Sequence, residues 1–108
     1  MFEEIGGNIV TFLPEEILYF ERSGRITNLV SASQEIFKIP YKMDELENKI
    51  LNSDFLRCHN SYIVYMPAIQ EIRKNELVLH DHTIIMISRG YMKGVKNRFM
   101  EWIQQQLL

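Results

Sequence analysis

Residues Phe55–Val64 read FLRCHNSYIV, and the reading of this stretch decides the fold. Its right half, Ser61-Tyr62-Ile63-Val64, is rich in β-formers and reads as a strand. Its left half sets Arg57, Cys58, His59 and Asn60 in an unbroken row: a donor-rich fork, a thiol, an imidazole and a carboxamide. If the row is extended, adjacent side chains point to opposite faces, so Arg57 and His59 alternate with Cys58 and Asn60. The residues alone leave two readings open. A partly buried arginine or histidine bonded to backbone carbonyls is one. The other is an edge that reads nucleic acid, since asparagine bonds adenine bidentately and arginine does the same for guanine.

Outward from this stretch the chain is mostly strand. Upstream, Asn8–Leu13 follows the Gly6-Gly7 pair, Pro14 breaks it, and Glu16–Phe20 resumes. Glu21–Arg25 is a turn centred on Ser23-Gly24, with strands expected at Ile26–Ala32 and Glu35–Ile39. After Pro40, Met43, Leu46 and Ile50 recur at helical spacing, with Asp44, Glu45 and Glu47 on the other side and Asn52-Ser53 as the stop. Downstream, strands are expected at Ile69–Arg73, Leu77–His80 and Thr83–Ser88, the last two joined by a turn at Asp81. Met92, Val95, Phe99, Ile103 and Leu107 fall near a 3.6 period and predict an amphipathic final helix, weakened by Gly94. Seven or eight strands in hairpin-sized steps predict a mainly β fold of mostly antiparallel sheets with short helices and a C-terminal helix.

The 108 residues are one domain by size, with 46% hydrophobic and 24% charged residues. Cys58 is the only cysteine, which rules out an intramolecular disulfide and the common cysteine-rich zinc sites and fits a reducing, cytoplasmic setting. The start, MFEEIGGN, has no basic region of the signal-peptide kind. No apolar run approaches the roughly 18 residues of a membrane helix.

The net charge of −2 divides unevenly. Residues 1–54 hold ten acidic and five basic side chains (−5), and residues 55–108 hold four and seven (+3). Between His82 and Met100 lie Arg89, Lys93, Lys96 and Arg98 with no acid. A polyanion would be met by that half.

Catalysis is not expected. The chain has no nucleophile elbow, zinc-protease, P-loop or dinucleotide fingerprint, and Cys58 and His59 point apart on an extended segment. His80 and His82 could ligate together from one strand face, but His80-Asp81-His82 reads as a solvated turn, so neither metal nor cofactor is expected. Ser88 is placed to cap the final helix, which sets Arg89 beside free backbone N–H groups where phosphate is favoured. A capped surface helix with snorkelling lysines accounts for the same residues without any ligand.

The ordered set of these segments resembles the LytTR-type DNA-binding domain of bacterial response regulators. The residues carrying the resemblance are Phe55, Arg57, His59, Ser61, Tyr62 and Ile69, then Ser88, Arg89 and Tyr91, with Ile17, Tyr19 and Glu21 upstream. The likeness runs from about residue 8 to about residue 99, with the C-terminal helix at about 91–106. Asn60 stands where many members carry arginine, and Tyr65 where most carry asparagine.

The resemblance implies an elongated, mainly antiparallel β fold that reads the major groove of double-stranded DNA with loops. It implies contacts from His59 and Asn60, from Arg89 at the opening of the final helix with Lys93 beyond, and from the turn holding Arg22, Arg25, Thr27 and Asn28. Arg57 either buttresses the loop or reaches a phosphate. The family also implies a regulator of transcription that reads repeated half-sites, either with a receiver domain ahead of this module in a longer chain, the favoured reading, or as a stand-alone regulator. The alternative is a protein-interaction or dimerisation module using the amphipathic last helix, whose Trp102, Ile103, Leu107 and Leu108 exceed what one small core covers.

Overall fold

Ten short strands and two α-helices make up the described part of the chain, residues 1–50 and 53–107 of a computed structural model. The molecule measures 41 × 32 × 26 Å, longer in one direction as expected. Every strand pair is antiparallel.

The first hairpin joins β1 (Phe2–Ile5) to β2 (Asn8–Thr11), with Ile5 opposite Asn8. Gly6 and Gly7 have φ of 57° and 82°. Two successive positive φ values are what a two-residue hairpin turn demands, and glycine supplies them without a Cβ clash. Strand β1 was not anticipated, because FEEI has no apolar alternation. Glu3 is nevertheless buried, and its carboxylate accepts from Tyr41, which raises the phenol above its ordinary pKa.

The central sheet has the order β5-β4-β3-β7-β6, built from β3 (Ile17–Ser23), β4 (Ile26–Ser31), β5 (Ile36–Ile39), β6 (Phe55–His59) and β7 (Tyr62–Tyr65). Its two faces bury separate cores. Phe20, Leu29, Ile39 and Ile63 pack with Phe12 and with Met43 and Leu46 of α1 (Met43–Lys49). Leu56, Cys58 and Val64 pack on the other face with Leu77, Leu79, Ile85, Val95 and Trp102. Ile63 and Val64 are thus buried on opposite sides, which is why the strand reads as a continuous apolar run. The second core is closed by a three-stranded sheet, β8 (Ile69–Ile72), β9 (Glu76–Leu79) and β10 (Ile84–Met86), in sequence order.

The expected count of seven or eight strands falls short by β1 and by β6. The polar row is itself largely strand: Phe55–His59 pairs with β7 through a bulge between Arg57 and His59, and the turn is confined to Asn60 and Ser61. The β3–β4 turn lies one residue later than expected, at Gly24-Arg25.

In α1, Met43 and Leu46 face the core, and the Glu45 carboxylate reaches back to the Lys42 N–H at 3.2 Å. Of the expected stop, Asn52 lies outside the described residues, and the Ser53 hydroxyl bonds the Ile50 carbonyl. The last helix, α2 (Met92–Leu107), buries Val95 and Trp102 and half-buries Met92, Phe99 and Ile103 against the same core. Trp102 is only 9% exposed, and its Nε1–H donates to Asp54 Oδ1 at 3.0 Å. This corrects the expectation of an uncovered apolar end at Trp102. The Leu107 side chain and Leu108 lie outside the described residues. Among those residues no helix is long and apolar enough to cross a membrane.

Candidate nucleic-acid interface

The bulge that ends β6 decides how the polar row is displayed. Cys58 turns fully inward, its sulfur 3.8 Å from the Met86 carbonyl and 3.9 Å from that of Tyr62. Burial pushes its thiol pKa up to about 12, so it stays neutral and is no nucleophile for a histidine to activate. His59 is half-buried with its ring edge on Tyr62, centroids 5.5 Å apart. Its Nδ1 accepts the Ser61 N–H at 3.1 Å. That bond assigns the proton of the neutral ring to Nε2. Nε2 has no partner among the described residues, and no buried side-chain N or O there lacks one, so the Nε2–H faces solvent as a donor.

Asn60 is exposed at the turn, and its Oδ1 accepts from the Tyr91 hydroxyl at 3.1 Å. Its amide N–H groups are left to face outward. Tyr91 closes the single 3-10 turn Arg89–Tyr91 that leads into α2. The same junction is fastened by the backbone, where the Ser88 N–H donates to the Cys58 carbonyl at 3.1 Å. Ser88 occupies the cap position but makes no side-chain cap bond, so the expected hydroxyl cap is absent and the turn is closed by the Tyr91 N–H on the Ser88 carbonyl. Arg89, Lys93 and Lys96 are exposed, with no side-chain partner among the described residues. Arg98 is turned back to the Ser53 carbonyl at 3.0 Å. The His59–Asn60 turn and the Arg89–Tyr91 turn are therefore adjacent.

Arg57 is held differently. Its side chain is 10% exposed, and Nη1 lies 2.6 Å from Asp44 Oδ1 and 3.2 Å from Glu47 Oε1. Nε donates to the His59 carbonyl at 3.3 Å and Nη2 to that of Asn60 at 2.9 Å. Burial opposes its charge, but Asp44, Tyr91 and Glu47 outweigh burial and hold the guanidinium above its ordinary range. Four of its five N–H groups are thus engaged within the protein.

The β3–β4 turn lies at the same end of the central sheet, since the Arg22 N–H donates to the Ser61 carbonyl at 2.8 Å. Only part of it is available. The Arg22 side chain folds back, Nε to the Gly24 carbonyl at 3.2 Å and Nη1 to Thr27 Oγ1 at 2.7 Å and to the Tyr41 carbonyl at 3.2 Å. Thr27 is 1% exposed and donates to the Tyr41 carbonyl. Its burial removes it from the expected contact set: it shares the inward face of β4 with Leu29. Asn28 is half-buried on the opposite face, between Glu21 and Lys38. Arg25 stands exposed at the tip beside Ile26, itself 43% exposed. His80 and His82 are exposed in the β9–β10 turn, His82 with φ of 73°, and no group of three metal-ligating side chains occurs among the described residues.

Sequence reading missed three participants. Asp44 and Glu47 are placed by the sequence only on the side of the helix away from its apolar residues, and the Tyr91 hydroxyl has no role there. The available signal was Arg57 itself, a charged residue between two buried neighbours, whose face of β6 meets an acidic helix.

The fold is thus that of a small, mainly antiparallel β domain in which a polar turn adjoins the opening of a basic C-terminal helix. Residues 7–100 match the LytTr DNA-binding domain family, and the chain belongs to that family. Over 89 residues the chain is 33% identical to the sensory transduction protein LytT of Oceanobacillus iheyensis, a match covering 76% of this chain. The chain spans about a third of that relative's length, 36%. Its fold is similar to the LytTr DNA-binding domain of a putative methyl-accepting/DNA response regulator from Bacillus cereus. The TM-score is 0.77 over 93% of this chain and 94% of that one, at 16% identity.

Proposed function

We propose that this chain is a single module that binds specific double-stranded DNA sequences as the output domain of a cytoplasmic transcription regulator. The observation that carries the reading is the Tyr91–Asn60 hydrogen bond, which unites the His59–Asn60 turn and the Arg89 turn in one surface. His59 offers an Nε2–H suited to guanine N7 or a phosphate, and Asn60 offers its amide. Arg89 supplies a guanidinium for guanine or phosphate, with Lys93 and Arg25 as flanking phosphate contacts. Turns do the reading here, with no helix laid along the groove. Arg22 and Asn28 are assigned to shaping the β3–β4 turn. Likeness to a sensory transduction protein of greater length supports a receiver domain ahead of this module in the whole regulator. The burial of Trp102 takes one of its four apolar residues from the dimerisation reading.

Binding of the chain to random-sequence duplexes tests this directly. Affinity is expected to fall steeply with salt, by a log–log slope of about −0.9 per phosphate contact. Selection from a random pool is expected to return a repeated motif with half-site centres about 10 bp apart. His59→Gln, which places an amide near Nε2, is expected to keep more specific affinity than His59→Ala. No binding at low salt would sink the proposal.

A further inference from the structure

Arg57 joins three elements that sequence keeps apart. One side of its guanidinium is gripped by Asp44 and Glu47 of α1. The other side holds the carbonyls of His59 and Asn60, the two residues proposed to face DNA. Its face lies 5.9 Å from the ring centroid of Tyr91, whose hydroxyl holds Asn60. A guanidinium is planar and its donors are fixed in a fork. With two carboxylates on one side, only one orientation also satisfies both carbonyls, so α1 fixes where the turn sits.

We infer that Asp44 and Glu47 are specificity-determining residues that act through Arg57, although each carries the charge a duplex repels. The inference rests on the DNA-binding reading above. Direct base contacts need donors placed within about 0.5 Å, whereas phosphate contacts tolerate much more. Losing the α1 grip therefore weakens recognition of the preferred sequence and spares general duplex binding. Plain electrostatics has the opposite sign, because neutralising two acids near the interface strengthens binding to any duplex. The two effects can be separated in one measurement.

The variants are Asp44→Asn/Glu47→Gln, Asp44→Asn alone, and Arg57→Lys, which keeps the charge and loses the fork. Asp44 and Glu47 have side chains 88% and 44% exposed, so neutralising them leaves packing intact, and thermal melts identify the temperatures at which each variant is folded. Each is titrated over a salt series with two probes: the duplex most enriched by the wild type from a random pool, and a scrambled duplex of equal length. The double variant and Arg57→Lys are expected to bind the enriched duplex about tenfold more weakly, the scale of one misplaced base contact. The scrambled duplex is expected to bind as well as before or better, with the salt slope unchanged. Asp44→Asn alone is expected to show a smaller loss of the same sign.

Variants that discriminate as the wild type does overturn the inference while leaving DNA binding in place. So does a salt slope that falls by about one phosphate contact in Arg57→Gln but not in Arg57→Lys, which would make Arg57 itself a phosphate ligand. A wild type that enriches no sequence overturns both the DNA-reading proposal and this inference.

Discussion

The Tyr91 hydroxyl donates to Asn60 Oδ1 at 3.1 Å, across 31 residues of sequence, and this bond fastens the β6–β7 turn to the opening of α2. It also occupies the Asn60 oxygen and leaves the amide N–H groups of this exposed residue without a partner among the described residues. Tyr91→Phe keeps the ring against Arg57 and loses only the bond. The exposed bond contributes about 0.5–1.5 kcal/mol at most to stability, so the melting temperature should shift little. Affinity for an enriched duplex should fall several-fold more than affinity for a scrambled one. Equal losses on both would show that Tyr91 merely supports the fold.

Arg89 and Lys93 should separate by role. If Arg89 is bidentate to guanine, Arg89→Ala costs roughly 1–3 kcal/mol of specific binding and relaxes preference at one base position. Lys93→Ala should weaken enriched and scrambled duplexes alike and reduce the salt slope by about one contact. Competition titrations at two salt concentrations distinguish the patterns.

Thr27 should matter for folding alone. Its hydroxyl accepts from Arg22 and donates to the Tyr41 carbonyl in a fully buried position. Thr27→Val removes both bonds and leaves a buried carbonyl with one partner fewer, at a cost of about 1–3 kcal/mol. Chemical denaturation should record that loss. Below the melting range, the ratio of specific to scrambled affinity should be unchanged, because no atom of Thr27 reaches the surface.

Cys58 makes stability fall in strong base. Its ordinary pKa of 9.0 is pushed up to about 12 by burial, so the folded state holds the proton longer than the unfolded chain. The contribution is complete below pH 9.0 and is lost as pH rises through the window toward 12. Denaturant midpoints measured from neutral to alkaline pH should decline in the native chain, and less in Cys58→Ala. Alkylation of the native thiol at neutral pH should be slow and should accelerate only on unfolding.

The alternating and apolar runs told most of the fold. Ile26–Ser31, Ile36–Ile39 and the final helix all lie within a residue or two of their expected bounds. Strand β1 was hidden because its paired acids resemble a solvated terminus, and only the tertiary contact with Tyr41 explains why Glu3 is buried. The row at Arg57 was weighed as extended but not counted as a strand, yet a strand between two cores can place polar groups against a helix. Thr27 entered the contact set through the family resemblance, when its parity with Leu29 on β4 places it inward. The grip of Asp44 on Arg57 spans 13 residues and two elements, and no local pattern carries such a pairing.

Strand β6 is the last strand of the central sheet, and α2 packs most closely on it. The two are tied at both ends, through Ser88 and Cys58 at one and through Arg98 with Ser53 and Trp102 with Asp54 at the other. A sheet border left open invites pairing with another chain, and here the Cys58 carbonyl of the last strand is already taken by the Ser88 N–H just ahead of the helix. The segment that leads into the basic helix thus also shields part of an edge where another chain could pair. The apolar positions of that helix are constrained by packing. Its exposed lysines, Lys93 and Lys96, remain free to vary with the sequence to be read, whereas Arg98 is held by Ser53.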